Sequence, residues 1–445
     1  MSSYVTKKTF GDTSWFTHDR FGMFIHFGLY ALPARHEWIQ HGERISKEDY
    51  VKYFNHFNPD LFDAKQWAKI AKSSGMKYVV FTAKHHEGFC LFDSKYTDYK
   101  VTNTPYGKDL LKEVVDAFRS EGIKIGIYYS LIDWHHPDFT VDIIHPDRMR
   151  REKIEENPKK DMHRYAEYMR NQVTELLTNY GDIDILWFDF SYTRQPTQKP
   201  FEDLPELVGK GKDDWEAEEL IATARKLRPN IIIDNRAQIE QDIFTPEQIR
   251  VNKWVTHPET NEKVVWETCQ TFSGSWGYFR DESTWKSPRV LLSLLIRSVA
   301  YGGNLIMNVG PTARGYFDKR AIDSLKVYEE WMKYNSRSIY GCTMAEPEFK
   351  APEGTLLTQS QDGKRLYVHI LEYPYKTLAM ENLSGKIEYC QFLHDASEVL
   401  YNENKPNFLE EAGTSDDIGD SEVRFVIPET EPDILIPVLE IFLKD

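Results

Sequence analysis

Short apolar runs alternate with amphipathic stretches through the first three quarters of this chain, and this alternation constrains its fold more than any other feature. The apolar runs have the length of buried strands, and the stretches between them repeat their apolar residues with the period of a helix. Parallel strands need crossover connections, so this order predicts a parallel sheet covered by helices. The predicted strands are 23–30, 78–83, 125–130, 183–190, 231–236, 264–269 and 305–310, and the predicted helices are 64–74, 110–119, 164–177, 215–227 and 290–300.

The predicted strands number seven, whereas a regular (β/α)8 barrel has eight. Either one strand is degenerate or the barrel is irregular, and periodicity does not choose between these alternatives. A further long helix is predicted over residues 319–340, closed by Gly341. We therefore predict an α/β protein whose larger part is a (β/α)8-like barrel.

The pattern changes after this helix from alternating helices and strands to strands alone. The runs 365–373, 387–394, 423–427 and 434–442 are separated by Gly, Pro, Asn and acidic residues, as in antiparallel sheets. We predict a catalytic barrel over residues 1–343 and a C-terminal antiparallel β-sandwich over residues 344–445. The acidic stretch 410–422 is predicted to be a solvated loop.

Charge and cysteine usage limit the partners and the compartment. The chain has 70 acidic and 55 basic residues, a formal charge of −15, which argues against a nucleic-acid-binding surface. No apolar run has the length of a signal peptide or a membrane span. The cysteines at 90, 269, 342 and 390 are scattered without a CxxC pair, which favours reduced thiols over disulfides or a zinc site. We expect a cytoplasmic protein without nucleic-acid or membrane partners.

The fourth predicted strand carries the strongest functional signal, because its apolar run ends at a carboxylate, Asp189. A buried strand tolerates such a group poorly unless the fold uses it, and active sites of barrels lie at the C-terminal ends of strands. Asp189 could instead cap the following loop. Polar residues gather at the same end of other predicted strands or in the loops that follow: His26, Glu37, His85, His86, Glu87, Tyr128, His135, His136, Arg236, Glu267 and Asn308.

These residues suit more than one chemistry. His26, His85, His86 and Glu87 could supply nitrogen and oxygen ligands to a metal, although adjacent histidines on a strand point to opposite faces. Imidazoles, tryptophans and scattered carboxylates also suit a sugar site. Glycoside hydrolysis needs two carboxylates, about 5 Å apart in retaining enzymes and further apart in inverting ones.

Together these segments resemble the α-L-fucosidases of glycoside hydrolase family 29 over essentially the whole chain. The most specific pieces are FGMFIHFG at 21–28, Glu37-Trp38, KHHEGF at 84–89, LWFD at 186–189 and GNLIMNVG at 303–310. The resemblance implies a retaining enzyme, without cofactor or metal, in which Asp189 attacks the anomeric carbon and water then releases fucose. Transfucosylation, in which a sugar hydroxyl replaces water, is a further expectation. The residues implied to bind fucose are His26, Glu37, Trp38, His85, His86, Tyr128, Trp187 and Arg236.

The acid/base residue is less directly indicated. Glu247 follows the fifth strand and fits the family pattern of Thr-x-Glu beyond an Asn-Arg pair, although Thr-Pro-Glu is also an ordinary helix start. Glu267, placed at the end of the sixth predicted strand, is the second candidate and is otherwise a substrate-binding group or a structural carboxylate paired with Arg236. The loop 196–214 is predicted to shape the leaving-group side.

Two other classes of protein stay open at this point. One is a different barrel enzyme, either an inverting hydrolase or a metal-dependent sugar isomerase. The other is a sugar-binding protein without activity, against which the presence of Asp189 and Glu247 argues. The expected partner is a fucosylated glycan or glycoside, and a homo-oligomer is expected from the family. The sequence does not indicate the linkage, the leaving group or whether the C-terminal sandwich binds sugar.

Overall fold

The computed structural model describes residues 6–192, 207–403 and 421–444. Residues 196–206 of the loop predicted to shape the leaving-group side, and residues 410–420 of the acidic stretch, lie outside the described residues. Among the helices described, none combines the length and apolar character needed to cross a membrane.

Seven parallel strands form a curled sheet in the order β5-β4-β3-β2-β1-β7-β6. Nearly all their residues are buried on both faces, which explains their apolar sequences. The strands are β1 Phe21–Ile25, β2 Tyr78–Lys84, β3 Lys124–Ser130, β4 Ile185–Asp189, β5 Ile232–Ile233, β6 Glu267–Thr271 and β7 Asn304–Val309.

An irregular segment, residues 242–248, fills the gap between β5 and β6. The Asp242 N–H donates to the Ile233 carbonyl (2.9 Å), and the Glu267 N–H donates to the Phe244 carbonyl (2.9 Å). Pro246, in the same segment, has no N–H and interrupts a regular ladder. The segment therefore takes the place of an eighth strand, and the prediction of a (β/α)8-like barrel is confirmed in its irregular form.

Helices cover the outside of this sheet, and several begin at an Asp or Ser whose side chain accepts an N–H of the first turn. The long predicted helix 319–340 ends earlier, at Asn335, and a 3-10 turn follows. The helices are α1 Ser14–Asp19, α2 Ile39–Gly42, α3 Lys47–Asn55, α4 Ala64–Ser73, α5 Leu110–Ser120, α6 Arg151–Ile154, α7 Met162–Asn179, α8 Ala217–Leu227, α9 Pro288–Ala300 and α10 Lys319–Asn335.

The C-terminal part contains a five-stranded and a three-stranded antiparallel sheet, with orders β12-β15-β10-β9-β8 and β11-β14-β13. The predicted division at residue 343 falls inside β8, and the point of separation stays a prediction. The strands are β8 Cys342–Met344, β9 Thr355–Ser360, β10 Arg365–Ile370, β11 Thr377–Met380, β12 Ile387–Phe392, β13 Tyr401–Glu403, β14 Val423–Val426 and β15 Val438–Leu443.

Candidate active site

A small cavity opens at the C-terminal end of the parallel strands. The structure brings together here all the site residues predicted from the sequence except Glu267. The lining residues are Phe24, His26, Glu37, Trp38, His85, His86, Tyr128, Trp187, Asp189, Phe190, Arg236, Glu247, Cys269 and Trp276.

Asp189 is the last residue of β4 and has both carboxylate oxygens held. The Tyr128 hydroxyl donates to Oδ2 (2.7 Å), and Nη1 of Arg236 donates to Oδ1 (2.7 Å). Burial, together with the charge of Asp189, raises the pKa of Tyr128 well above its usual value, so the phenol stays a donor. The carboxylate is thus held in one orientation in a largely buried site.

Arg236 joins Asp189 to the second carboxylate of the cavity, Glu247. Its Nη2 lies 2.8 Å from Oε2 of Glu247, and its guanidinium lies 4.4 Å from the centre of the Trp187 ring. Burial disfavours the charged arginine, but Asp189 and its neighbours outweigh burial and raise the pKa of Arg236. The Asp189 side chain is 12% exposed and that of Glu247 is 41% exposed, so only the second carboxylate is open to solvent.

The histidines of the cavity are neutral hydrogen-bonding groups. His26 Nδ1 lies 2.6 Å from Oδ1 of Asn308, whose amide nitrogen donates to a carbonyl, so we assign the proton to Nδ1 and leave Nε2 as an acceptor. His86 Nδ1 likewise lies 2.8 Å from the Ser130 hydroxyl, which donates elsewhere. Burial lowers the pKa of His26 to about 3 and the pKa values of His85 and His86 well below normal.

Glu37 is held beside these histidines by the loop that contains Trp276 and Gly277, which was not predicted from the sequence to be part of the site. Its Oε2 accepts the N–H groups of Gly277 (2.7 Å) and Trp276 (3.1 Å), and burial raises the pKa of Glu37 to about 7. A Cβ on Gly277 would come within 2.8 Å of the Tyr30 ring, so the close approach requires glycine. Trp276, whose ring lies 5.2 Å from that of His26, was missed, although its loop follows β6 as the strand-end rule requires.

The prediction for Glu267 is wrong in position. The apolar residues before it pair with the irregular segment, and the regular ladder starts only at Glu267, which is therefore the first residue of β6 and not its end. Its carboxyl is fully buried, accepts the Tyr78 hydroxyl and does not line the cavity. Burial raises the pKa of Glu267 to about 7. Arg236, its predicted structural partner, binds Asp189 and Glu247 instead.

Glu87 does not join the histidines as the metal hypothesis requires. Its carboxyl accepts the Leu29 N–H (2.8 Å) and the Tyr50 hydroxyl (2.5 Å), and burial raises its pKa to about 7. Over residues 6–192, 207–403 and 421–444, no three His, Cys, Asp or Glu side chains form a group that could hold a metal ion. All four cysteines are buried and free.

The comparisons with known proteins agree on one family. The sequence profile described as Alpha-L-fucosidase matches residues 6–337. The structure is similar to α-L-fucosidase isoenzyme 1 from Paenibacillus thiaminolyticus (TM-score 0.86, 42% identity, 97% of this chain and 99% of that chain). It is also similar to a Bacteroides thetaiotaomicron family 29 α-L-fucosidase trapped as a covalent intermediate with 2-fluoro-fucosyl fluoride (TM-score 0.79, 26% identity, 99% of both chains).

Curated sequences point the same way. Human plasma α-L-fucosidase is 28% identical over 391 residues, which is 81% of this chain and 76% of that protein. The family match, the barrel with its antiparallel C-terminal sheets and the lined cavity are all consistent with one class of glycoside hydrolase. This chain belongs to the α-L-fucosidase family, glycoside hydrolase family 29.

Proposed function

We propose that this enzyme hydrolyses terminal α-L-fucosyl residues from glycosides with retention of configuration, using Asp189 as nucleophile and Glu247 as general acid/base. The observation that carries the proposal is the pair of carboxylates bound to one guanidinium at the mouth of the barrel. One is buried and held by a tyrosine, as a nucleophile requires, and the other is exposed enough to reach a leaving group.

The reaction has two displacements. In the first, an Asp189 oxygen bonds to the anomeric carbon while the glycosidic bond breaks and Glu247 gives its proton to the departing oxygen. In the second, Glu247 takes a proton from water, whose oxygen bonds to the anomeric carbon and releases Asp189. The trapped covalent intermediate of the Bacteroides enzyme supports this two-step course.

The remaining cavity residues are proposed to bind the sugar. Neutral histidines with a free ring nitrogen, such as His26 and His86, exchange hydrogen bonds with hydroxyl groups without placing a charge beside Arg236. The rings of Trp38, Trp187 and Trp276 supply apolar faces. A substrate that lacks a matching hydroxyl would leave a buried polar group unpaired and would be rejected.

The test is release of nitrophenol from 4-nitrophenyl α-L-fucoside in the presence of EDTA, comparing the wild type with Asp189→Ala. We expect turnover by the wild type and a loss of about 10³-fold or more in the variant, with fucose binding retained. Proton NMR of the first-formed sugar should show the α anomer. The β anomer would indicate an inverting hydrolase, and dependence on metal would favour an isomerase-like site.

Three further expectations accompany this proposal. Transfucosylation is expected when a sugar acceptor competes with water, and oligosaccharide products would reveal it. A homo-oligomer is expected, to be measured by light scattering. A cytoplasmic location is proposed because the four cysteines are free, and fractionation of the source cells would test it.

A further inference from the structure

The residue that follows the proposed nucleophile has a strained backbone. Phe190 has a φ of 80°, a region that a residue with a side chain enters only where its surroundings enforce it. Its ring packs against Trp38 (5.1 Å between ring centres) and His86 (5.0 Å), and all three line the cavity. The conformation of Phe190 therefore sets one wall of the site.

Tyr192 packs against Phe190 and lines a neighbouring cavity, of which Asp189, Phe190 and Arg236 are also part. Its ring meets the Phe190 ring edge-on at 5.4 Å. Its N–H donates to the Lys210 carbonyl (2.7 Å), and its hydroxyl donates to the Asp142 carboxylate. Tyr192 is thus fixed at both its backbone and the tip of its side chain.

Asp142, Lys210 and the partly buried Tyr192 form a group that we term the Asp142 cluster. The side chains of Asp142 and Lys210 are only 2% and 3% exposed, and the Lys210 ammonium donates to the Asp142 carboxylate. The other oxygen of Asp142 accepts the N–H groups of Ile144 and His145, both at 3.0 Å. The cluster therefore ties the loop after β3 to the loop after β4.

The loop after β3 also contacts the cavity wall through a second set of residues, which ends at Trp38. The Ile144 carbonyl lies 2.6 Å from Nδ1 of His41, whose ring meets Trp38 edge-on at 5.3 Å. Trp38 is thus contacted by Phe190 and by His41, and both are connected to Asp142. A buried ion pair adds little net stability compared with apolar packing, so a fixed geometry is its more informative consequence.

We propose that the Asp142 cluster is a positioning unit that holds Phe190 and Trp38 against the bound fucosyl ring. This inference rests on the proposed function, because it treats that wall as part of the sugar site. Asp142, Tyr192 and Lys210 do not line the cavity proposed to hold fucose, and Tyr192 lines only the neighbouring cavity. Loss of the cluster should therefore weaken sugar binding and leave the chemical step almost unchanged.

The test uses Tyr192→Phe, because Asp142→Asn would strand a buried ammonium and could prevent folding. The variant keeps the ring but removes its bond to Asp142. We expect KM for 4-nitrophenyl α-L-fucoside and the inhibition constant of L-fucose both to rise about fivefold or more, with kcat within twofold. Tyr180→Phe is the matched control, since its hydroxyl also donates to a carboxylate, Asp109 (2.6 Å), in a buried position away from the cavity.

The outcomes separate this inference from the proposed function. Normal wild-type turnover, with an unchanged KM and inhibition constant in Tyr192→Phe, would overturn the inference alone. So would equal changes in Tyr192→Phe and Tyr180→Phe, which would indicate a general loss of stability. A wild type that neither cleaves fucosides nor binds fucose would overturn the proposed function and this inference with it.

Discussion

At the scale of single residues, the two proposed catalytic carboxylates differ in what surrounds them. Asp189 accepts bonds from Tyr128 and Arg236 in a nearly buried position, whereas the Glu247 carboxylate pairs with Arg236 and is exposed. A nucleophile must be held in line with the anomeric carbon, while an acid must reach leaving groups of different shape. The difference in burial matches the difference in proposed role.

This assignment predicts how Glu247→Ala depends on the leaving group. A nitrophenolate departs without protonation, so we expect kcat/KM for the aryl fucoside to fall far less than for a fucosyl disaccharide, by about 10²-fold less. Azide should restore the rate on the aryl substrate by attacking the fucosyl-enzyme. The measurement is kcat/KM on both substrates, and Glu267→Gln, which changes the second candidate for the acid, is measured in parallel. Equal losses on both substrates after Glu247→Ala would remove Glu247 from the acid role.

Glu267 supports a prediction about stability. Its pKa is raised by burial from 4.5 to about 7, so the folded state favours the protonated carboxyl. That contribution is complete below pH 4.5 and is lost as the pH rises through 7. Glu267→Gln does not titrate and so does not lose this contribution. As the pH rises from 4.5 to 8, the free energy of unfolding of the variant should therefore increase relative to that of the wild type by up to about 3 kcal/mol.

Urea unfolding at pH 5 and pH 8 measures this difference. Glu113→Gln is the matched control, because its carboxyl also accepts a tyrosine hydroxyl, that of Tyr106 (2.6 Å), but in a less buried place. If Glu267→Gln and the wild type kept the same difference in stability at both values of pH, the buried carboxyl would not be titrating in this range.

At the scale of elements, the irregular segment 242–248 carries Glu247 to the cavity, and Asp242 fixes its start. The Asp242 carboxylate accepts the N–H groups of Phe10 (2.7 Å), Gly11 (2.7 Å) and Ile233 (2.8 Å) and pairs with Arg225. The buried Asp242 carboxylate therefore joins the amino-terminal residues Phe10 and Gly11, and also β5, to the irregular segment. We therefore expect the position of Glu247 to depend on the contacts of Asp242, five residues earlier in the same segment.

We expect Asp242→Ala to reduce the free energy of unfolding by about 3–5 kcal/mol, because it leaves three N–H groups unpaired and removes the carboxylate that pairs with Arg225. We also expect a larger loss of kcat/KM on fucosyl disaccharides than on the aryl fucoside, since the acid is displaced. Asp63→Ala, which removes only the cap of α4, is the control and should cost about 1 kcal/mol. An unchanged ratio between the two substrates would show that the anchor does not act on Glu247.

The sequence predicts the regular helices and strands and most of the residues that line the cavity, because both follow from the pattern of apolar and polar residues. Asp189 and His26 stand at the ends of strands buried on both faces, where one polar residue interrupts an apolar run. The errors lie where the backbone is irregular. Pro246 and its polar neighbours lack the apolar pattern of a strand, so the sequence does not predict the segment in the eighth strand position. The apolar run before Glu267 pairs with that segment. The positive φ of Phe190 has no sign in the sequence, because aromatic residues do not favour this region and its ring contacts come from distant parts of the chain.

At the scale of the whole molecule, the barrel and the C-terminal sheets share a core. Helix α9 packs on β8 and β9, and the indole N–H of Trp331 in α10 donates to the Ile436 carbonyl (3.2 Å). Arg20, at the start of β1, donates through Nε to the Cys342 carbonyl (2.9 Å). One hydrophobic cluster runs from the barrel helices to Leu356, Tyr367, Ile436 and Val438.

This shared core predicts the behaviour of a chain cut after residue 343. Exposing the buried ring of Trp331, which stacks on His369 and donates to Ile436, would cost about 1.5–3 kcal/mol, and the faces of α9 and α10 around it would add to this loss. A typical domain is stable by only about 5–15 kcal/mol. Residues 1–343 alone should therefore be insoluble or bind the dye ANS without a cooperative thermal transition, and should lack fucosidase activity. Co-expression with residues 344–445 should restore both properties if the contacts, and not chain continuity, are what the barrel needs. A soluble, active barrel with a sharp transition would instead establish residue 343 as a true domain boundary, and would mean that the apolar faces of α9 and α10 are stable in water.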